Sequence, residues 1–241
     1  MSAQPKASPH DTKPEIPGIP NRPFPLKRVV GALLAVAVAF AAAALVLPKS
    51  ANAKDAIGLN DSQIDSVEQV QTYLNAISTL RARFMQVTNQ GNFAQGEFML
   101  SRPGRMRIDY DPPVPVLIVS DGNLVMYKDE ELDQISYVPL STLPASMFIG
   151  ETVNFFGDDL LITNFEHEKG ALRLTLQRSE DPMEGSLTLV FATAPLALKK
   201  WSVVDAQGIT TTVSLLGPTF GEALNEELFK VENRILPRKQ D

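Results

Sequence analysis

From Thr79 onward the sequence alternates apolar and polar residues with a period of two, and this restricts the fold more than any other feature of the 241-residue chain. Successive side chains on a strand point to opposite faces, so period two means strands buried on one side. The pattern is clearest at Arg105-Met106-Arg107-Ile108-Asp109-Tyr110. Met106, Ile108 and Tyr110 share one face; Arg105, Arg107 and Asp109 share the other. A sheet that buries one face is expected to be antiparallel. Turn signals at Asn89-Gln90-Gly91-Asn92, Pro103-Gly104, Pro112-Pro113 and Asp121-Gly122-Asn123 divide the stretch into strands near 79–88, 95–101, 105–110, 114–120, 123–128 and 133–138. Five more are expected near 161–168, 171–178, 185–191, 197–205 and 209–216, with hairpin turns at Lys169-Gly170 and Ala206-Gln207-Gly208. No repeat of 20–50 residues is evident. Eleven strands must coil or split into two layers, so one long curled sheet with helices on its concave face is the expected architecture.

The helices read as accessories to that sheet. Ile64, Val67, Val70, Leu74 and Ile77 recur at spacings of three and four, with Asp61 and Ser62 as caps, and predict an amphipathic helix over 62–77. Between Ser141 and Phe156 the strand rhythm fails, and short helices are expected at 142–149 and 152–156. A last helical turn is expected at 222–228, with Phe229 to Val231 returning to the sheet edge.

The N-terminal part differs in kind. Residues 1–25 hold seven of the 18 prolines, a composition expected to stay disordered. After Lys27 and Arg28, Val29 to Leu47 run for 19 residues without a charge, and Ala51-Asn52-Ala53 follows. A basic flank, an apolar run and an A-x-A triplet compose a secretory signal cut after Ala53. The alternative is an inner-membrane anchor through residues 29–47, because that length nearly spans the hydrocarbon core. Either product places the rest of the chain outside the cytoplasm. The expected division is therefore a Pro-rich n-region over 1–28, the h-region and cleavage site over 29–53, and one domain over 54–241. The chain's net charge of −6 then splits: residues 1–53 hold six Lys+Arg and two Asp+Glu, leaving a body of −10.

Several chemistries are excluded or disfavoured. Zero Cys removes disulfides, thiolate ligands and lipid-modified Cys. Two His make a metal or triad site improbable, and the acidic balance argues against nucleic acid. The carboxylate pairs Asp109/Asp111 and Glu166/Glu168 could serve a hydrolase, but His167, between the second pair at a hairpin end, reads as an exposed turn residue and not a base, so a solvated face is preferred. Asp129-Glu130-Glu131 and Asp133 lack the ligand spacing of a calcium loop and read as an acidic turn. No catalytic residue, metal or cofactor is expected. For the basic cluster Arg102-Pro103-Gly104-Arg105-Met106-Arg107, a binding role and a solvated face are equally open.

The run from Leu100 to Pro113, Leu-Ser-Arg-Pro-Gly-Arg-Met-Arg-Ile-Asp-Tyr-Asp-Pro-Pro, resembles a hallmark of the periplasmic outer-membrane lipoprotein carrier proteins, the LolA family. Leu117-Ile118-Val119-Ser120-Asp121-Gly122, then Tyr127 and Gln134, extend the resemblance, as do Phe84 with Gln86 and Gly96 opening the next strand. It covers about 64 to 232. Met126 stands where many members carry Trp, an aromatic is common where Arg107 or Ile108 stands, and Phe229-Lys230-Val231 only echoes the family's Phe-x-x-x-Pro-Pro ending.

The resemblance implies an unclosed antiparallel β-barrel with a helical lid over an apolar cavity. It implies a carrier, not an enzyme. Such a carrier takes acylated lipoproteins from an inner-membrane lipoprotein-releasing ABC transporter to an outer-membrane lipoprotein receptor in a Gram-negative periplasm, and is expected to be monomeric. By the same resemblance, Arg102 ties the sheet to a lid helix. Candidate cavity-lining residues are Phe84, Phe98, Leu100, Met106, Ile108, Tyr110, Val125, Tyr127, Leu143, Met147 and Phe148; for each, ordinary core is the alternative. The other readings are a periplasmic sensor of lipid or lipoprotein in an envelope-stress pathway, or a carrier of another lipid.

Overall fold

A computed structural model describes residues 57–231. The Pro-rich segment, the apolar run and the expected cleavage site lie outside these residues. Helix α1 spans Asp61–Asn75. Its cap is Asn60, one residue before the expected pair: Asn60 Oδ1 accepts the Gln63 N–H at 3.0 Å, and Gln63 Oε1 accepts the Asn60 N–H at 2.9 Å. This reciprocal capping box satisfies two backbone donors, which places Asp61 and Ser62 inside the first turn. Val67, Val70 and Leu74 form the buried stripe of the helix, and Ile77 beyond its end is also buried.

Eleven strands follow: β1 (Thr79–Thr88), β2 (Phe93–Ser101), β3 (Arg105–Tyr110), β4 (Val116–Asp121), β5 (Leu124–Asp129), β6 (Gln134–Pro139), β7 (Leu160–Glu168), β8 (Ala171–Arg178), β9 (Gly185–Thr193), β10 (Leu196–Asp205) and β11 (Thr210–Phe220). They form one sheet in the order β6-β5-β4-β3-β2-β1-β11-β10-β9-β8-β7. Every neighbouring pair is antiparallel, and β6 and β7 are the two edges. The sheet is therefore unclosed, as the resemblance implies, and it is single and antiparallel, as the alternation and strand count predict. Bulges in β1, β7 and β10 break the register at Arg81/Arg83, Ile162/Asn164 and Leu198/Lys200; such bulges bend a strand and raise its twist. At Gly96 a Cβ would stand 2.1 Å from the Asp109 carbonyl oxygen and 2.8 Å from the Phe84 ring, so only glycine lets β3 and the Phe84 ring approach β2 this closely.

Residues 140–159 link the two edge strands as a strap. The strap holds a 3₁₀ turn at Leu140–Thr142 and the short helix α2, Ser146–Ile149. The helix expected at 152–156 is absent. Asn75 donates to the Val153 carbonyl at 2.9 Å and accepts the Val153 N–H at 2.8 Å, while Gln71 accepts the Phe155 N–H at 2.9 Å. Side chains of α1 thus take the backbone groups a helix would have used, and Val153 and Phe155 insert into the core from this irregular stretch.

The C-terminal turn is a 3₁₀ helix at Glu226–Phe229. Phe229 does not return to a sheet edge. It is buried where this turn meets β3 and β4, with the Arg105 guanidinium 6.0 Å from its ring centroid. Across β2 to β5 the outward row Met99, Val119 and Met126 is also buried. Arg107 stands in the same row between Met99 and Val119, so the outward face is partly apolar and buried here, contrary to the one-sided burial that alternation suggests.

Candidate functional site

The inner face of the sheet divides into two walls. On β8, β9 and β10, Leu172, Leu174, Leu176, Leu187, Leu189, Phe191 and Leu198 are fully or almost fully buried. Helix α1 serves this side: the Tyr73 ring meets Phe191 edge-on at 6.1 Å, and the Tyr73 hydroxyl accepts the Leu198 N–H at 3.2 Å. The other wall is built by β1, β2, β3 and β5. It carries Phe84, Phe98, Leu100, Met106, Ile108, Tyr110, Val125 and Tyr127, all within one apolar cluster with Leu143, Met147 and Phe148 of the strap. The structure thus brings all eleven sequence-derived residues together. Seven are buried; Ile108, Tyr127, Leu143 and Met147 are partly buried against that core.

This second wall is aromatic and mixed in shape where the first is leucine. Phe84 and Tyr110 meet edge-on at 5.2 Å. The Tyr110 hydroxyl donates to Gln86 Oε1 at 2.8 Å inside the apolar surround, a placement that satisfies a buried hydroxyl. Burial raises the Tyr110 pKa, with the charge of Tyr127 adding to the effect. Burial likewise pushes Tyr127 up to about 12, with the Asp129 carboxylate contributing. Both rings therefore stay neutral at ordinary pH. Trp201 on β10 is 8% exposed and touches both wall and strap: its ring lies 5.4 Å from Phe98 on the wall and 5.4 Å from Phe148 on the strap.

Arg102, in the turn between β2 and β3, reaches the strap. Its Nη1 donates to the Gly150 carbonyl at 2.6 Å and its Nη2 to the Phe148 carbonyl at 2.5 Å. These carbonyls lie at the C-terminal end of α2, where helices leave acceptors unpaired. Gly104, at φ 64°, donates its N–H to the Ile149 carbonyl at 2.9 Å from the same turn. Burial lowers the Arg102 pKa, and its buried Nε has no hydrogen-bond partner. Cation and strap are held together at a desolvation cost.

Three further anchors escaped the sequence. Asn75 and Gln71 hold the strap backbone, as described, and Arg178 holds its start. The pairing of a polar side chain with a distant carbonyl leaves no periodic signal, although Asn75 and Gln71 do lie one turn apart on α1. The paired carboxylates singled out in the sequence form ion pairs with arginines. Asp109 pairs with Arg107 at 2.8 Å, Asp111 with Arg83, and Glu166 and Glu168 both with Arg173 at 3.5 and 3.2 Å. Asp129 accepts the Glu131 and Leu132 N–H groups at 3.0 Å each, which makes the acidic segment a closed turn. Among the described residues no group of three or more His, Asp or Glu could hold a metal ion.

A family model for the outer membrane lipoprotein carrier protein LolA matches residues 75–232. The chain belongs to the LolA family. Among LolA relatives, an outer-membrane lipoprotein carrier protein of Methylobacillus flagellatus is 36% identical over 124 residues, covering 48% of this chain and 55% of that protein. The corresponding protein of Pseudomonas syringae pv. syringae is 28% identical over 215 residues, 85% of this chain and 95% of its own. A solved LolA-superfamily structure from Nitrosomonas europaea aligns with a TM-score of 0.42 at 10% identity, covering 68% of this chain and 97% of that one. The LolA match spans the strap, both walls and Arg102.

Proposed function

We propose that this protein is a periplasmic chaperone that binds the acyl chains of lipoproteins released from the inner membrane and delivers them to an outer-membrane receptor. The observation that carries this reading is the strap: an aromatic inner wall is covered by a short segment whose polar fastenings are few and separable. Each buried CH₂ of a cargo chain is worth about 0.8 kcal/mol, so a carrier needs an apolar wall that its own lid covers when no cargo is present. The wall candidates Phe84, Phe98, Leu100, Met106, Ile108, Tyr110, Val125 and Tyr127 would exchange contacts with Leu143, Met147 and Phe148 for contacts with acyl chains. Met at two of these positions suits cargo of varied shape. Arg102 is the latch of the closed form.

In the same reading, export removes residues 1–53 at Ala53, and one carrier domain over 54–241 works as a monomer. That body carries a formal charge of −10, which suits docking on basic faces of the releasing transporter and the receptor.

The test is displacement of an apolar fluorophore by a triacylated peptide, with Trp201 as the internal reporter. Trp201 contacts both strap and wall, so acyl binding should displace the dye and change its emission together. Saturable acyl binding supports the carrier reading. A protein that binds neither dye nor acylated peptide refutes it.

A further inference from the structure

We propose that Arg178 is a second positioning residue of the strap, fastening it across the open seam of the sheet. The consequence for cargo release rests on the carrier reading above; the fastening itself does not. Arg178 ends β8 and pairs in register with Leu160, the first residue of edge strand β7. Its Nη2 contacts the Ser141 carbonyl, the Leu143 carbonyl at 3.2 Å and the Ser146 hydroxyl at 2.9 Å. These acceptors follow directly on β6, the opposite edge. One guanidinium therefore joins β8, the strand next to one edge of the sheet, to the chain that leaves the other edge.

The local architecture suits a fastening rather than general packing. The Ser146 hydroxyl donates to the Leu143 carbonyl at 2.8 Å, which holds two of the three acceptors in place. Thr142, Pro144 and Met147 face Gly185 and Ser186 across a crevice beside Arg178, so the strap lacks close apolar packing against β9 there. Asp181 lines the same crevice and is already used, accepting the Met183 N–H at 3.2 Å. The acceptors on the strap are neutral oxygens, and a cation bonded to them is stronger than a neutral donor.

Two arginines thus hold the ten residues 141–150 from opposite halves of the sheet: Arg178 from the helix-covered half, Arg102 from the half with the aromatic wall. Releasing Arg102 alone would let the C-terminal end of α2 lift while the strap stays hinged at 141–146. Full exposure of the wall requires both to let go.

Hydrogen exchange on the ligand-free protein tests this. Arg178→Gln should speed exchange of amides in 140–147 about tenfold or more, leaving those of β8, β9 and β10 within twofold of wild type. Unchanged exchange in 140–147 overturns the proposal, and so does an equal rise throughout β8–β10, which marks a merely structural role. If Arg178→Gln does not fold, Arg178→Lys is read in the same two regions by the same criteria. In a second arm, release of a bound triacylated peptide should slow in Arg178→Gln as the open form gains population. Failure of the wild type to bind that peptide would defeat the carrier reading, while the exchange result still decides the role of Arg178.

Discussion

The two inner walls of this sheet are covered in different ways. The leucine wall of β8–β10 lies under a capped helix of 15 residues whose stripe of Val67, Val70 and Leu74 is buried against the core. The aromatic wall of β1–β5 lies under a strap whose only α-helical piece is four residues long. A helix of one turn has almost no stability of its own. What holds it is Phe148 and Ile149, 3% and 0% exposed, and a few hydrogen bonds from Arg102, Arg178, Asn75 and Gln71. The difference separates a permanent core from a removable cover, because local opening selects segments with few fastenings.

Substitutions on the two sides should behave differently. The largest effect is expected from Leu189→Ala in the leucine wall, about 2–5 kcal/mol of global stability, read as a lower urea midpoint with unchanged acyl affinity. A selective loss of acyl binding would break the division. Arg102→Leu removes two cation-assisted bonds worth about 1.5–3 kcal/mol each, although desolvation of the buried guanidinium offsets part of that. It should raise dye binding to the ligand-free protein about tenfold and slow acyl release, with the urea midpoint lowered less than by Leu189→Ala. Dye binding at the wild-type level would show that the strap does not depend on this latch.

Tyr110→Phe leaves Gln86 without its buried partner and should cost about 1–3 kcal/mol, seen as a lower melting temperature. A neutral result would mean that the pair fixes geometry alone. The smallest effect concerns pH. Below about pH 10 tyrosines are neutral folded or unfolded. Above it the unfolded chain ionises while Tyr127 holds its proton to about 12. Stability should then fall as pH rises from 10 to 12, and Tyr127→Phe should flatten that slope. An unchanged slope would remove Tyr127 from the account.

Much of the fold was legible because alternation is a direct consequence of one-sided burial. At Arg105–Tyr110 the expected and observed strand limits coincide, with Met106 and Tyr110 buried and Ile108 partly so. The ends of strands were less legible: β11 runs on to Phe220, past the expected end at 216. The burial of the outward residues Met99, Val119 and Met126 was illegible because the C-terminal turn that packs on this side, at β3 and β4, arrives from more than a hundred residues further along the chain. The wall residues could be collected from periodicity and resemblance. The strap anchors other than Arg102 could not, since a bond from Asn75 to the backbone of Val153 depends on tertiary approach. The same bond explains why the helix expected at 152–156 does not form.

The strap is spliced between β6 and β7, so it behaves as a tether of fixed length. Residues 140–159 could reach roughly 66–72 Å if fully extended, whereas the 3₁₀ turn and the helical turn within them rise only about 2.0 and 1.5 Å per residue. Such slack lets the cover swing clear while β6 stays on β5 and β7 stays on β8. Opening then needs no strand to leave the sheet, and a cover attached at both ends is never lost to solution. Its return is an intramolecular event, independent of how dilute the protein is.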